Sequence, residues 1–145
     1  VMYHPETDTL YLTGYTADYP NEFNHWGQIG RVIVRYDEWS TGDRTSDWQL
    51  APEWSGDSVP TGIDVAGDYL FLAYTYPEPA HIKIYHATSG VYVGKLNPNN
   101  TVGEFSGWFD IRHPIRALQR SNGEYIIYAE EDGRGKNLIY RWQPQ

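Results

Sequence analysis

Three segments of this 145-residue chain superpose on one another, and no other feature limits its possible folds as strongly. They are TLYLTGYT (9–16), YLFLAYTY (69–76) and EYIIYAEE (124–131), each an apolar, β-rich run that turns polar at its end. A short strand-like run and a tight turn precede each one, in VMYHPETD, GIDVAGD and IRALQRSNG. The Gly, Asn and Asp residues there are what a hairpin reversal demands. After a variable loop each segment is followed by a third run: GRVIVRYDEW, HIKIYHATSG and KNLIYRW. The third runs share a pattern in Arg35-Tyr36, Ile84-Tyr85 and Arg141-Trp142. A fourth run, SDWQLAPEW or GVYVGKLNP, closes the first two units, and the third unit has none.

No helical periodicity of useful length appears, so the expected fold class is all-β. Serial four-stranded antiparallel units predict β-propeller blades, about three of them, in the order a-b-c-d, a-b-c-d, a-b-c. The spacing, about sixty and then fifty-five residues, assigns 1–58 to the first blade, 59–105 to the second and 106–145 to the third. Three blades do not close a ring, since propellers carry at least four. The expectation is therefore a partial propeller, belonging to a ring of roughly six to eight blades. The ring is completed by further blades or by another copy of the chain. Propellers often latch the ring by letting the N-terminus supply the outer strand of the last blade, which suits a third unit lacking its fourth run. A free stack of three sheets, or a sandwich, is the competing arrangement and leaves sheet edges exposed.

Charge and composition narrow the partners. A formal net charge of -8 argues against nucleic acid and against anionic lipid, both of which need a basic face. No apolar run approaches the ~18 residues of a membrane span, and no signal pattern opens the chain. The chain starts at Val1 with its single Met at Met2, so the expectation is that the natural start has been removed or lies upstream. With no cysteine there is neither a disulfide framework nor a thiolate metal site. Thirteen Tyr and six Trp serve strands and cross-strand pairs, and on loops they offer platforms for sugar rings.

In a propeller the b–c and d–a loops share one face, and they place the candidate site residues. The first b–c loop carries Tyr19, His25 and Trp26 as a sugar-stacking group. The second offers Tyr76 and His81, and the third Glu130, Glu131 and Asp132. The d–a connection SGWFDIRHP adds Trp108, Arg112 and His113, with Arg116 just beyond. Substrate-binding candidates are thus Tyr19, His25, Trp26, Tyr76, Trp108 and Glu130. His113, held by the following Pro114, suits a general acid or base near neutral pH. Arg112 or Arg116 suits a substrate carboxylate. A simple salt bridge to Asp110 or to the acidic loop competes with both roles. Glu130 and Glu131 are adjacent on one strand and so point to opposite faces, which disfavours them as a glycosidase acid pair. A Ca²⁺ site is a further expectation for the acidic run, although it lacks the spacing of a known calcium loop. The plainest expectation for Glu130-Glu131-Asp132 is a solvated acidic turn beside Arg134 and Lys136.

The chain has no nucleophile elbow, zinc-protease motif, phosphate-cradling loop or dinucleotide fingerprint, and its repeats lack the Gly-His and Trp-Asp blade signatures. The pattern GIDVAGDYLFLAYT…HIKIYHATSGVYVGKL instead resembles bacterial propellers of the NHL and YVTN type. The tail SGWFDIRHPIRALQRSNGEYIIYAEED…KNLIYRW is similar to the ending of exported propellers associated with polysaccharide degradation. That resemblance implies an extracellular or periplasmic, carbohydrate-active propeller of lyase or glycosidase type. A non-catalytic lectin-like or protein-binding propeller is the alternative.

Overall fold

The computed structural model describes residues 1–14, 32–50, 59–75, 80–97, 109–110, 115–132 and 135–145. Among the described residues eleven strands form three antiparallel sheets and no helix occurs. Sheet I holds β1 (Met2–His4), β2 (Thr9–Gly14), β3 (Val32–Tyr36) and β4 (Trp48–Leu50). Sheet II holds β5 (Val59–Ala66), β6 (Tyr69–Thr75), β7 (His81–His86) and β8 (Tyr92–Leu96). Sheet III holds β9 (Arg116–Gln119), β10 (Tyr125–Glu130) and β11 (Asn137–Trp142). The all-β expectation therefore holds, with four, four and three strands paired in chain order.

Each sheet opens on a hairpin whose turn contains one left-handed residue: Asp8 (φ 50°), Gly67 (φ 50°) and Gly123 (φ 81°). These are the residue types that tolerate positive φ. The three sheets then repeat one register, because Leu10 pairs with Tyr36, Leu70 with Tyr85 and Tyr125 with Trp142.

Sheet II is the middle layer. Period-two alternation sends Leu70, Leu72 and Tyr74 of β6 into a core with Tyr11 and Ile33 of sheet I. Phe71 and Ala73 point the other way, into a core with Tyr125, Ile127 and Ala129 of sheet III. A strand buried on both faces must be apolar throughout, which is why YLFLAYT shows no polar alternation. At the second interface Tyr69, Phe71, Tyr125 and Trp142 form an aromatic cluster with ring centroids 4.8–5.9 Å apart.

Polar contacts lock the layers in place. Ala87 follows β7, and its carbonyl accepts from the Tyr11 hydroxyl at 3.2 Å and from Arg35 Nη1 at 2.5 Å. Arg35 also donates to Asp37 Oδ1 through Nε and Nη2, at 2.9 and 2.6 Å. The first strands of the sheets lie side by side, β1 against β5 and β5 against β9.

The hairpin joining β9 to β10 is held by charge. Glu124 accepts from Arg141 Nε at 2.5 Å and from Arg120 Nη1 at 2.8 Å. Arg141 foremost, then Arg120, holds the Glu124 carboxyl below its ordinary value. A depressed carboxylate contributes stability above its unfolded value, and that contribution disappears as pH falls through the folded value. Glu124→Gln is therefore expected to lower the urea midpoint at pH 7. It should also flatten the wild-type decline that starts near pH 4.5 and continues below it. Parallel pH profiles for the two proteins would exclude this role.

Candidate functional site

At one end of sheet III the two polar segments of the sequence are zipped together. Phe109 and Glu131 form an antiparallel bridge, and the Asp110 N–H donates to the Glu130 carbonyl at 2.8 Å. The Glu131 N–H in turn donates to the Lys136 carbonyl at 2.9 Å. The start of DIRHPIR, the acidic run and the return toward β11 thus meet in one place.

This arrangement corrects the expected solvated acidic turn. Tyr125, Ile127 and Ala129 point into the core, and Glu131 continues their alternation one residue past the strand. Glu131 is consequently 0 % exposed, with Lys136 Nζ 3.9 Å from its Oε2. Asp110 is buried beside it in the chain pairing, whereas Glu130 and Asp132 are half-buried. Glu130 and Glu131 do face opposite sides.

No protein-family model matches the chain, and no curated protein matches it. The functional reading therefore rests on the residues themselves.

Of the residues expected to act in catalysis or to bind substrate, Arg116 and Glu130 are described. Arg116 opens β9 opposite Tyr128, is exposed, and donates from Nη1 to the Ile115 carbonyl at 3.2 Å. Glu130 ends β10 opposite Asn137. Arg112, His113, Tyr19, His25, Trp26, Tyr76 and Trp108 lie outside the described residues. The described residues that flank Arg112 and His113 in sequence, Asp110 and Ile115, are both buried.

One feature escaped the sequence reading. Asp64, in the middle of β5, is buried and accepts the Ala117 N–H at 2.7 Å and the Val65 N–H at 3.0 Å. Burial pushes its carboxyl up, and the two N–H donors, Arg116 and His4 oppose that shift. Asp64 of β5 thus falls within electrostatic reach of one residue from each of the other first strands, His4 of β1 and Arg116 of β9. The available signal was an isolated acid inside the apolar run GIDVAG. His81, the candidate from the second b–c loop, instead opens β7, where it is buried and stacked on Tyr74 with centroids 5.0 Å apart and planes 4° apart. Lys83 Nζ lies 4.8 Å from the centre of the same Tyr74 ring.

Among the described residues, no group of three or more His, Asp or Glu side chains is placed to hold a metal ion. No described helix is long and apolar enough to cross a membrane.

Proposed function

We propose that the chain is a run of β-propeller blades from an exported carbohydrate-active protein. In this reading the site is where DIRHPIR and the acidic run meet. Face-to-face stacking, adjacent first strands and a repeated register support the propeller arrangement. The observation that carries the functional reading is the pairing of Phe109–Asp110 with Glu130–Glu131, which brings the start of DIRHPIR beside a core-facing carboxylate.

Elimination on a uronic polysaccharide suits these residues better than hydrolysis, because Glu130 and Glu131 diverge and do not form an acid pair across a glycosidic bond. His113 takes the proton next to the uronic carboxylate, and Arg112 with Arg116 stabilises the charge that develops. Tyr19, His25, Trp26, Tyr76 and Trp108 supply stacking surfaces, and Glu130 hydrogen-bonds sugar hydroxyls. Wild-type protein is expected to release unsaturated products, followed by their ultraviolet absorbance, from at least one uronic polysaccharide. His113→Ala should abolish that release with the circular-dichroism spectrum unchanged. Silence on every polyuronate tested would end the lyase reading.

A lectin-like or protein-binding role is the second reading. Arg35, Arg120 and Arg141 are each paired with a carboxylate, and the chain carries a net charge of -8. Both features favour a neutral glycan or a protein over a polyanion. Glycan-array binding without product release selects this role.

A further inference from the structure

Asp64 stands where the other two sheets carry an apolar residue. The shared register, in which Leu10, Leu70 and Tyr125 are equivalent, makes Met2 of β1, Asp64 of β5 and Leu118 of β9 equivalent too. They pair with Tyr11, Phe71 and Ile126 respectively. At the joint of sheets I and II, Met2 packs against the core as hydrocarbon. An apolar residue therefore suits this position, and the fold does not itself require a carboxyl group at the joint of sheets II and III.

Period-two alternation turns Ile63 and Val65 toward sheet I, and Asp64 toward sheet III with Ala66 and Phe71. β5 and β9 are both edge strands and lie side by side. From β9 the Ala117 N–H donates across the joint to Asp64 Oδ2 at 2.7 Å, and the Val65 N–H reaches Oδ1 at 3.0 Å. Asp64 is only 4 % exposed. The charged groups facing it are Arg116 from β9 and His4 from β1, whereas β6 brings its uncharged cross-strand partner Phe71. Arg116 is exposed and His4 half-buried, so solvent weakens both attractions. Burial outweighs them and the two N–H donors together, and it holds the Asp64 carboxyl above its ordinary 3.8.

We propose that Asp64 is a proton-operated clasp between sheets II and III: neutral, it holds β9 against β5, and ionised, it favours their parting. The neutral acid keeps a carbonyl oxygen for the Ala117 N–H and gives up little hydration on burial. The carboxylate recovers its hydration when β9 moves away from β5, so ionisation favours local opening at this edge. A raised carboxyl contributes fully below its unfolded value, and the contribution is lost as pH rises through the folded value. Glu124 works in the opposite sense, losing its contribution as pH falls. Global stability mixes the two, and the clasp is therefore read locally, at Ala117. It stands on the packing of β5 against β9 and is independent of any action on glycans.

The test is a pH titration of the 145-residue chain by nuclear magnetic resonance. It follows the Asp64 carboxyl shift, the Ala117 amide shift and the hydrogen-exchange protection of that amide, corrected for the pH dependence of intrinsic exchange. The two shifts are expected to share one midpoint above 3.8. Protection should fall as pH rises through it, in total about tenfold for each pH unit separating that midpoint from the ordinary value. Asp64→Asn keeps an oxygen for the Ala117 N–H but does not titrate. Its protection should be level with pH over the same range and should exceed that of the wild type above the midpoint. Asp64→Met, which carries the residue of sheet I at this position, removes the acceptor and should leave Ala117 less protected than Asp64→Asn at every pH. Arg116→Gln should move the wild-type midpoint upward, since the guanidinium steadies the carboxylate, whereas a purely structural role for Asp64 predicts no such movement. A midpoint at or below 3.8 overturns the proposal. So does wild-type protection that stays level or rises with pH, or a pH dependence that survives in Asp64→Asn or Asp64→Met.

Discussion

Phe71→Ala is expected to cost about 3–5 kcal/mol, the range for removing a large aromatic from a close-packed core. The ring is 0 % exposed and lies at the interface of sheets II and III, 5.7 Å from the Tyr125 ring and 5.9 Å from the Trp142 ring. Tyr125 and Trp142 are also cross-strand partners of one another, so the cavity cannot be refilled by shifting one of them alone. For a chain of this length the loss corresponds to a melting midpoint roughly 10–20 °C lower. The comparison that gives this meaning is Leu118→Ala. Leu118 is 63 % exposed on the face of sheet III that points away from sheet II, and its truncation should stay within about 0.5 kcal/mol. Equal effects at the two sites would mean that sheets II and III do not pack as described. Calorimetry on the two variants decides the matter.

The all-β fold was legible because the signal for each unit is local and is repeated. A turn residue that tolerates positive φ, an apolar run and an aromatic at the end of the third strand recur in register. Asp8, Gly67 and Gly123 set the hairpins, and Tyr36, Tyr85 and Trp142 mark the same pairing position.

The site was less legible, and Glu131 shows why. A run of three acids looks solvated when judged by composition. The pleat nevertheless carries the alternation of Tyr125, Ile127 and Ala129 onward, so the second acid inherits a core-facing position. The bridge to Phe109 keeps it there. Asp64 was missed for the converse reason. A single acid in an apolar strand gives no sign of its partner when that partner is a backbone N–H fifty-three positions away, at Ala117. Long-range backbone contacts have no side-chain signature, and so sequence patterns do not report them.

Gly67→Ala should be the more informative of the two large losses, because it combines two separable costs. The residue sits at φ 50°, where an L side chain costs roughly 1–2 kcal/mol. An added Cβ would also lie 2.4 Å from Gln119 Oε1 and 2.7 Å from the Tyr125 hydroxyl. Gln119 is exposed and can swing aside. Tyr125 cannot, since its ring is wedged among Tyr69, Phe71 and Trp142 and its hydroxyl is bonded to the backbone at Asp68. The expected total is about 2–4 kcal/mol, the excess over the backbone cost coming from that displaced ring. Gly123→Ala isolates the first part, for its φ is 81° and nothing lies within 4 Å of its added Cβ. Its loss should stop near the backbone cost alone. Tyr125→Phe removes the clashing oxygen, so Gly67→Ala should cost less in that background than in the wild type. Denaturant midpoints for the four proteins complete the cycle. If Gly67→Ala and Gly123→Ala prove equal, the close approach of the sheet II hairpin to Tyr125 has no part in joining the two sheets.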